Sequence, residues 1–263
     1  MKNLKETTET RYHKKFTYYT NDSIIGRSLR EYGEYGQFEI DFLIGVISRI
    51  TNEPVVVYDV GANIGVHTTA FASTGAAVYA FEPNPLNFAL LAKNTKNMTN
   101  VHNHKSAASN VAGDILITTF DPAEVGNYGE LIINNNTGVA ATSVRLDDLD
   151  IPAPNVNKID AEGSELGVIQ GCLEKIKANL PLIYYEAQEP MQLGKIYTIL
   201  TELGYHLYWA VNYNYNKDNL KKNKNIIIDG ALFNVIAVPP EWDKLTIEPV
   251  TGPDDFWTRF LPQ

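Results

Sequence analysis

Apolar and polar positions along this chain fall into blocks whose period switches between that of buried strands and that of amphipathic helices. Val55, Val56 and Val57 form a continuous apolar run closed by Asp59, the pattern of a central parallel strand covered on both faces. Upstream, Phe38, Phe42, Leu43, Val46, Ile47 and Ile50 recur at helical spacing between Gly36 and Ile50, and Pro54 ends that helix before the valines begin. A helix from about Val66, a strand over Ala76 to Phe81, a helix over Pro85 to Lys96 and a strand within Asn100 to Ala107 follow. Residues 108–146 break the rhythm: Asp114 to Phe120, Leu131 to Ile133 and Ala140 to Leu146 read as short strands parted by Pro122, Gly126, Gly129 and Gly138, a small β insertion. Alternation resumes with a strand over Val156 to Asp160, a helix from Glu165 to Leu173, a strand over Leu182 to Glu186 and a helix over Met191 to Leu203. Two late strands, Tyr205 to Val211 and Leu232 to Val238, are joined by the polar loop VNYNYNKDNLKKNKN. Residues 1 to about 30 have weak periodicity and predict an arm or irregular cover, so that arm and first helix fill about residues 1–53 of a single domain spanning 1–263.

This order predicts an α/β fold with a doubly wound sheet and helices on both faces. Ligands in such sheets bind beyond the carboxyl ends of the strands, where strand order reverses, which selects Asp59, Glu82, Ser106, Asp160 with Glu162, and Glu186. The turn after the first central strand carries Gly61 and Gly65 around Ala62, Asn63 and Ile64, letting the backbone come close to a ligand before the next helix. Glu82 ends the following strand, where an acid that grips a ribose diol is expected. The two-glycine spacing lacks the G-x-G-x-x-G of a dinucleotide site, and Asp59 would repel a pyrophosphate while suiting an ammonium and a sulfonium. S-adenosylmethionine is such a ligand. The plain alternative is a strand-to-helix turn capped by Asn63.

Composition narrows the field. The 263 residues, 44% of them hydrophobic, suffice for one large core, and the single cysteine, Cys172, excludes an intrachain disulfide and reads as a small buried hydrophobe. A net charge of -9 opposes a broad nucleic-acid groove, so no nucleic-acid partner is expected. The polar start, MKNLKETTETRYHKKF, lacks the apolar core of a secretory signal, and runs such as FLIGVI are too short to span a bilayer, which makes a soluble cytoplasmic protein the expectation.

The segment RLDDLDIPAPNVNKIDAEGSELGVIQG, Arg145 to Gly171, crowds Lys158, Asp160, Glu162 and Glu165 around one strand-to-helix junction. Ser164 is a candidate cap for that helix and Glu165 suits its positive N-terminal end, whereas Asp160 and Glu162 stand at the ligand edge. With this segment, with YGEYGQFE (Tyr32 to Glu39), and with DVGANIGVHT and FEPNP (Asp59 to Thr68 and Phe81 to Pro85), the chain resembles the FkbM-type methyltransferases, S-adenosylmethionine-dependent enzymes of Rossmann-like fold. The resemblance covers most of residues 32–190. It implies a class I methyltransferase sheet of seven strands with an antiparallel last strand, and methyl transfer, usually to oxygen, on sugars, glycolipids or other natural products. It assigns Gly61, Asn63 and Gly65 to the methionine part of the cofactor, Glu82 to the ribose, and Asn84, Leu86, Ser106 and Ala107 to the adenine. Tyr32, Gly33, Glu34 and Tyr35 would close over the cofactor from the N-terminal side. Gly167 and the Asn-rich loop at 212–225 depart from the pattern.

A hydroxyl acceptor needs its proton removed or its pKa lowered. Asp160 and Glu162 could act as base and positioner, or share a divalent cation, the version not favoured because no third strand-end ligand is secure. His67 could approach the acceptor or pack against the N-terminal helix. The function expected is O-methylation of a sugar, glycan or small natural product. The alternatives are transfer to nitrogen or to a macromolecule, and a catalytically silent cofactor-binding scaffold.

Overall fold

The computed structural model describes residues 4–51, 54–133, 136–226 and 231–260. The chain opens with a hairpin of β1 (Lys5–Thr8) and β2 (Phe16–Tyr19), then α1 (Ile25–Tyr32) and α2 (Gln37–Ile47). The first α/β half is β3 (Val56–Val60), α3 (Val66–Ala72), β4 (Ala77–Phe81), α4 (Pro85–Asn94) and β5 (Val101–His104). The insertion comprises β6 (Ala107–Ala108), β7 (Gly113–Ile117) and β8 (Val139–Val144). The second half runs through β9 (Val156–Ile159), α5 (Glu165–Gly171), α6 (Leu173–Asn179), β10 (Leu182–Glu186), α7 (Pro190–Glu202), β11 (His206–Asn212) and β12 (Leu232–Val238).

Seven strands form one sheet in the order β11-β12-β10-β9-β3-β4-β5. The pairs from β10 through β9, β3 and β4 to β5 are parallel, and β12 inserts antiparallel between β10 and β11, as expected for a class I methyltransferase sheet. The two-residue period of a strand sends alternate side chains into two cores. Val56, Tyr58, Val60, Ile159 and Tyr185 pack against Val168, Ile169, Cys172 and Ile176 of the α5–α6 region and Leu193, Ile196 and Leu200 of α7. Val57, Val78, Val156 and Tyr184 pack on the other face against Leu43 and Ile47 of α2 and Phe71 of α3. Strand order reverses between β3 and β9, so the carboxyl ends of these two neighbours define the crevice.

Two expectations need correction. Residues before 30 are no irregular cover: Phe16, Tyr18 and Tyr19 of β2 are buried, and the weak periodicity arises because every residue of this short strand is covered. Asn94 fastens the hairpin to the ligand turn, accepting from the Thr17 amide at 2.8 Å and donating to the Thr17 and Ile64 carbonyls at 3.0 and 2.9 Å. The helix expected from Glu165 is followed by a second that was not expected, capped from the LDDL motif, where Asp147 accepts from the Glu174 and Lys175 amides at 3.1 and 3.0 Å.

Gly171, the last residue of α5, sets how closely the insertion seats on the sheet, for a Cβ there would lie 2.0 Å from the Ser109 carbonyl oxygen. Alanine in a helix is ordinarily preferred over glycine by about 1 kcal/mol. Gly171→Ala is therefore expected to reverse that sign and destabilise the fold by about 1–3 kcal/mol, read from urea unfolding.

Candidate active site

A cavity of about 620 Å³ opens at the β3/β9 switch point, a size typical of small-molecule sites. Its floor is the turn after β3. Gly61 has φ 76°, and a Cβ there would lie 1.6 Å from the Asp160 carbonyl oxygen, so only glycine lets the β3 and β9 ends meet. Asn63, also left-handed at φ 49°, presents its amide to Glu82 Oε2 at 2.9 Å, while the Asn84 amide donates to Glu82 Oε1 at 2.8 Å. Glu82 thus knits the two strand ends together and still faces the cavity. Burial pushes its carboxyl up to about 7, against the pull of those two amides.

The cavity is also lined by Asp160, Glu162 and Glu186, one oxygen of each lying within 4.8 Å of the others. Burial works to raise the Asp160 carboxyl, but the Lys158 ammonium at 3.1 Å, helped by His67 and a Glu186 hydrogen bond, holds the group below its usual range. Burial, reinforced by Asp160, lifts Glu162 to about 8, and burial with Asp160 and Glu162 lifts Glu186 to about 10. Neighbouring carboxyls share protons in this way because all three cannot ionise together. Glu162 is kept in place by a left-handed backbone, φ 49°, and by Gln188 Nε2, which donates to it at 3.3 Å. The Glu165 carboxylate accepts from the Ala161 and Gly163 amides at 3.0 and 3.1 Å, so it, and not the expected Ser164 side chain, caps the loop.

Of the residues singled out in the sequence, Gly61, Asn63, Glu82, Ala107, His67, Asp160 and Glu162 line the cavity together. Asp59 lies beneath it, fully buried, taking the Thr68 hydroxyl at 2.5 Å and facing Lys158 at 3.7 Å. Its charge is spent inside the sheet, and the carboxylates that would meet a ligand are Glu82 and the trio. Gly65 starts α3 in the left-handed region, where a Cβ would lie 2.9 Å from Leu91 of α4. Asn84 caps α4, accepting from the Leu86 and Asn87 amides, and the Leu86 carbonyl takes the Tyr19 hydroxyl. Ser106 is buried beside the lining residue Ala107 without lining the cavity itself.

Tyr32, Gly33 and Glu34 do not line the cavity either. Glu34 accepts from Arg11 at 2.7 Å, Asn216 at 2.9 Å and the Leu220 amide at 3.0 Å, and the Tyr32 hydroxyl bonds Asn225 and the Ile226 amide. They clamp the Asn-rich loop, whose Asn214 does reach the lining, and it is Tyr35 from the same motif that faces the cavity. His67 both lines the cavity and packs on α2, its Nε2 meeting the Glu39 carboxylate. Glu39 ends the YGEYGQFE motif but is not among the site residues expected from the sequence. Its signal was an acid beside Ile40 on the buried side of an amphipathic helix, 8% exposed.

Residues 59–207 match the methyltransferase FkbM domain, more than half of the chain, and the chain belongs to that family. A hexuronic acid methyltransferase, AglP of Haloferax volcanii, is 32% identical over 141 residues, which are 52% of this chain and 57% of that protein. The match therefore spans little more than half the length of the curated relative. An S-adenosylmethionine-dependent methyltransferase of Agrobacterium tumefaciens shares the fold, with a TM-score of 0.53 over 92% of this chain and 72% of that one at 7% identity. The FkbM methyltransferase of Methylobacillus flagellatus covers 69% of this chain and 43% of its own, at 17% identity and a TM-score of 0.47. No helix among the described residues is long and apolar enough to cross a membrane.

The raised carboxyl of Glu82 makes stability depend on pH in a defined direction. Its folded value, about 7, exceeds the unfolded 4.5, so the contribution is present below pH 4.5 and is lost as pH rises through 7, by roughly 3 kcal/mol. Glu82→Gln removes the titration. The Tm of this variant relative to the unaltered protein is expected to climb between pH 5 and pH 8 in differential scanning calorimetry, and a flat difference would contradict the shift.

Proposed function

We propose that this chain is an S-adenosylmethionine-dependent O-methyltransferase acting on a hydroxyl of a sugar, glycan or small natural product. The observation that carries the reading is the polarity of the cavity, with a ribose-type acid at the end of β4 and three further carboxylates beyond β9 and β10. This donor set suits a ligand with a diol, an ammonium and a sulfonium, and it opposes a pyrophosphate. Glu82 would hold the ribose hydroxyls, the turn through Gly61 and Asn63 would approach the methionine part, and Ala107 would bound the adenine end. When bound there, the cofactor supplies a methyl group activated on a positive sulfur. The family and the hexuronic acid methyltransferase relative support a sugar acceptor.

Asp160, Glu162 and Glu186 would grip the acceptor through its hydroxyls, the ionised Asp160 accepting and the protonated acids able to donate. Glu186 supplies the third strand-end oxygen ligand a divalent ion would want. The reading is nevertheless metal-free, because the Lys158 ammonium already stands 3.1 Å from Asp160 and would repel a second cation.

In calorimetric titrations, S-adenosylmethionine and S-adenosylhomocysteine are expected to bind and NAD not to do so comparably. Glu82→Gln should weaken both cofactor forms by about one to two powers of ten, the worth of hydrogen bonds to a charged group. Tighter binding of NAD would overturn the reading.

Incubation with methyl-labelled cofactor and fractionated glycans from cell extract tests the acceptor, label confined to protein or nucleic acid being the contrary result. Asp160→Asn and Glu162→Gln should each cut transfer far more than cofactor affinity, and turnover should survive a chelator. Loss of turnover in chelator, restored by magnesium or manganese, would replace proton sharing with a metal.

A further inference from the structure

We propose that His67 takes the proton from the acceptor hydroxyl and that Glu39 is the residue positioning it. The proposal rests on the methyl-transfer reading and adds the group that reading lacks. Each acid of the trio makes a poor proton acceptor at neutral pH: Asp160 is tied to Lys158, and Glu162 and Glu186 hold protons of their own. A base held by a third group and turned toward the acceptor is the arrangement general-base catalysis requires.

The geometry around His67 has those parts. It stands in the first turn of α3, 7% exposed, and lines the cavity. Its Nε2 meets Glu39 Oε1 and has no other hydrogen-bond partner among the described residues, so a proton on Nε2 is directed at Glu39 and Nδ1 is the nitrogen left to accept one. Glu39 is itself oriented from the sheet, since the Tyr184 hydroxyl of β10 donates to its Oε2 at 3.2 Å and Asn212 of β11 donates to that hydroxyl. Gly36 makes room for the pair: with φ 62°, a Cβ there would lie 3.1 Å from His67 Nε2 and 3.2 Å from Glu39 Oε1. The groups facing the imidazole are Glu39 from α2, Tyr35 from the turn before it, and Asp160 from the end of β9. The domain match begins at Asp59, and Gly36 and Glu39 stand upstream of it in the YGEYGQFE motif.

In the step proposed, the acceptor oxygen gives its proton to Nδ1 and bonds the methyl carbon, whose bond to sulfur breaks with both electrons remaining on sulfur. The proton then passes to solvent, and Glu39 keeps its charge throughout.

Two readouts test this. In long-range proton–nitrogen NMR of protein labelled with ¹⁵N-histidine and saturated with S-adenosylhomocysteine, the signal missing from His67→Gln is expected to show a protonated Nε2 and a bare Nδ1, a preference that Glu39→Gln weakens. A protonated Nδ1 in the unaltered protein would overturn the proposal whatever the acceptor proves to be. In transfer of labelled methyl to the glycan fraction that accepts it, His67→Gln should lower kcat by about 10²- to 10⁴-fold while leaving S-adenosylhomocysteine affinity unchanged. Glu39→Gln should lower kcat by a smaller factor, Glu39→Asp should restore part of it, and added imidazole should rescue His67→Ala. Undiminished kcat in His67→Gln would also overturn the proposal. Absence of label from every glycan fraction would instead count against the sugar acceptor, leaving the imidazole spectrum to decide the dyad.

Discussion

Lys158 carries an ammonium into the middle of a parallel sheet, 2% exposed, with Asp59 on the neighbouring strand at 3.7 Å and Asp160 two residues along its own at 3.1 Å. Taking three charges out of water is tolerable only because they compensate one another, and removing one partner of such a set typically costs about 3–5 kcal/mol. Burial would strip the proton from an isolated lysine, but the two carboxylates hold it on. The same contact fixes the charge of Asp160, and through Asp160 the protons on Glu162 and Glu186. The electrical state of the cavity mouth is thus set from inside the core, by a residue on the strand where the sheet changes direction.

Much of the architecture was legible because its signals are local. The valine run, the strand Leu182–Glu186 and the pair of late strands declare themselves through uninterrupted apolar stretches, as central strands do. The strand-end rule likewise gathers Glu82, Asp160, Glu162 and Glu186 at one edge from their places in the order alone. Direction is what a sequence leaves out. Asp59 obeys the strand-end rule yet turns inward, because a lysine 99 positions later sits beside it in register. Asn84 and Gly65 stand in the expected motifs, but one spends its side chain on a helix cap and the other its missing side chain on Leu91.

The N-terminal motif makes the same point at finer scale. YGEYGQFE brings a residue to the cavity, but the alternation of a turn entering a helix decides which: Tyr35 lines it and Glu39 meets the lining residue His67, while Tyr32 and Glu34 face the Asn-rich loop. Weak periodicity before residue 30 hid a hairpin because β2 is covered on both sides and so shows no alternation. Buried polar contacts such as those of Asn94 have no periodic signature at all, since their partners lie 30 and 77 positions away.

The clamp between Glu34 and the Asn-rich loop has a consequence for how the molecule comes into being. Glu34 and Tyr32 bond residues 182–194 positions further along, and the loop they hold connects β11 to the strand that completes the sheet. On a ribosome, the hairpin, the glycine turn and Glu82 can assemble long before Asn216 has been made. That wall can be completed only after residues 214–226 have been made, so a nascent chain stalled earlier has the cofactor end of its cavity and lacks part of the wall around it.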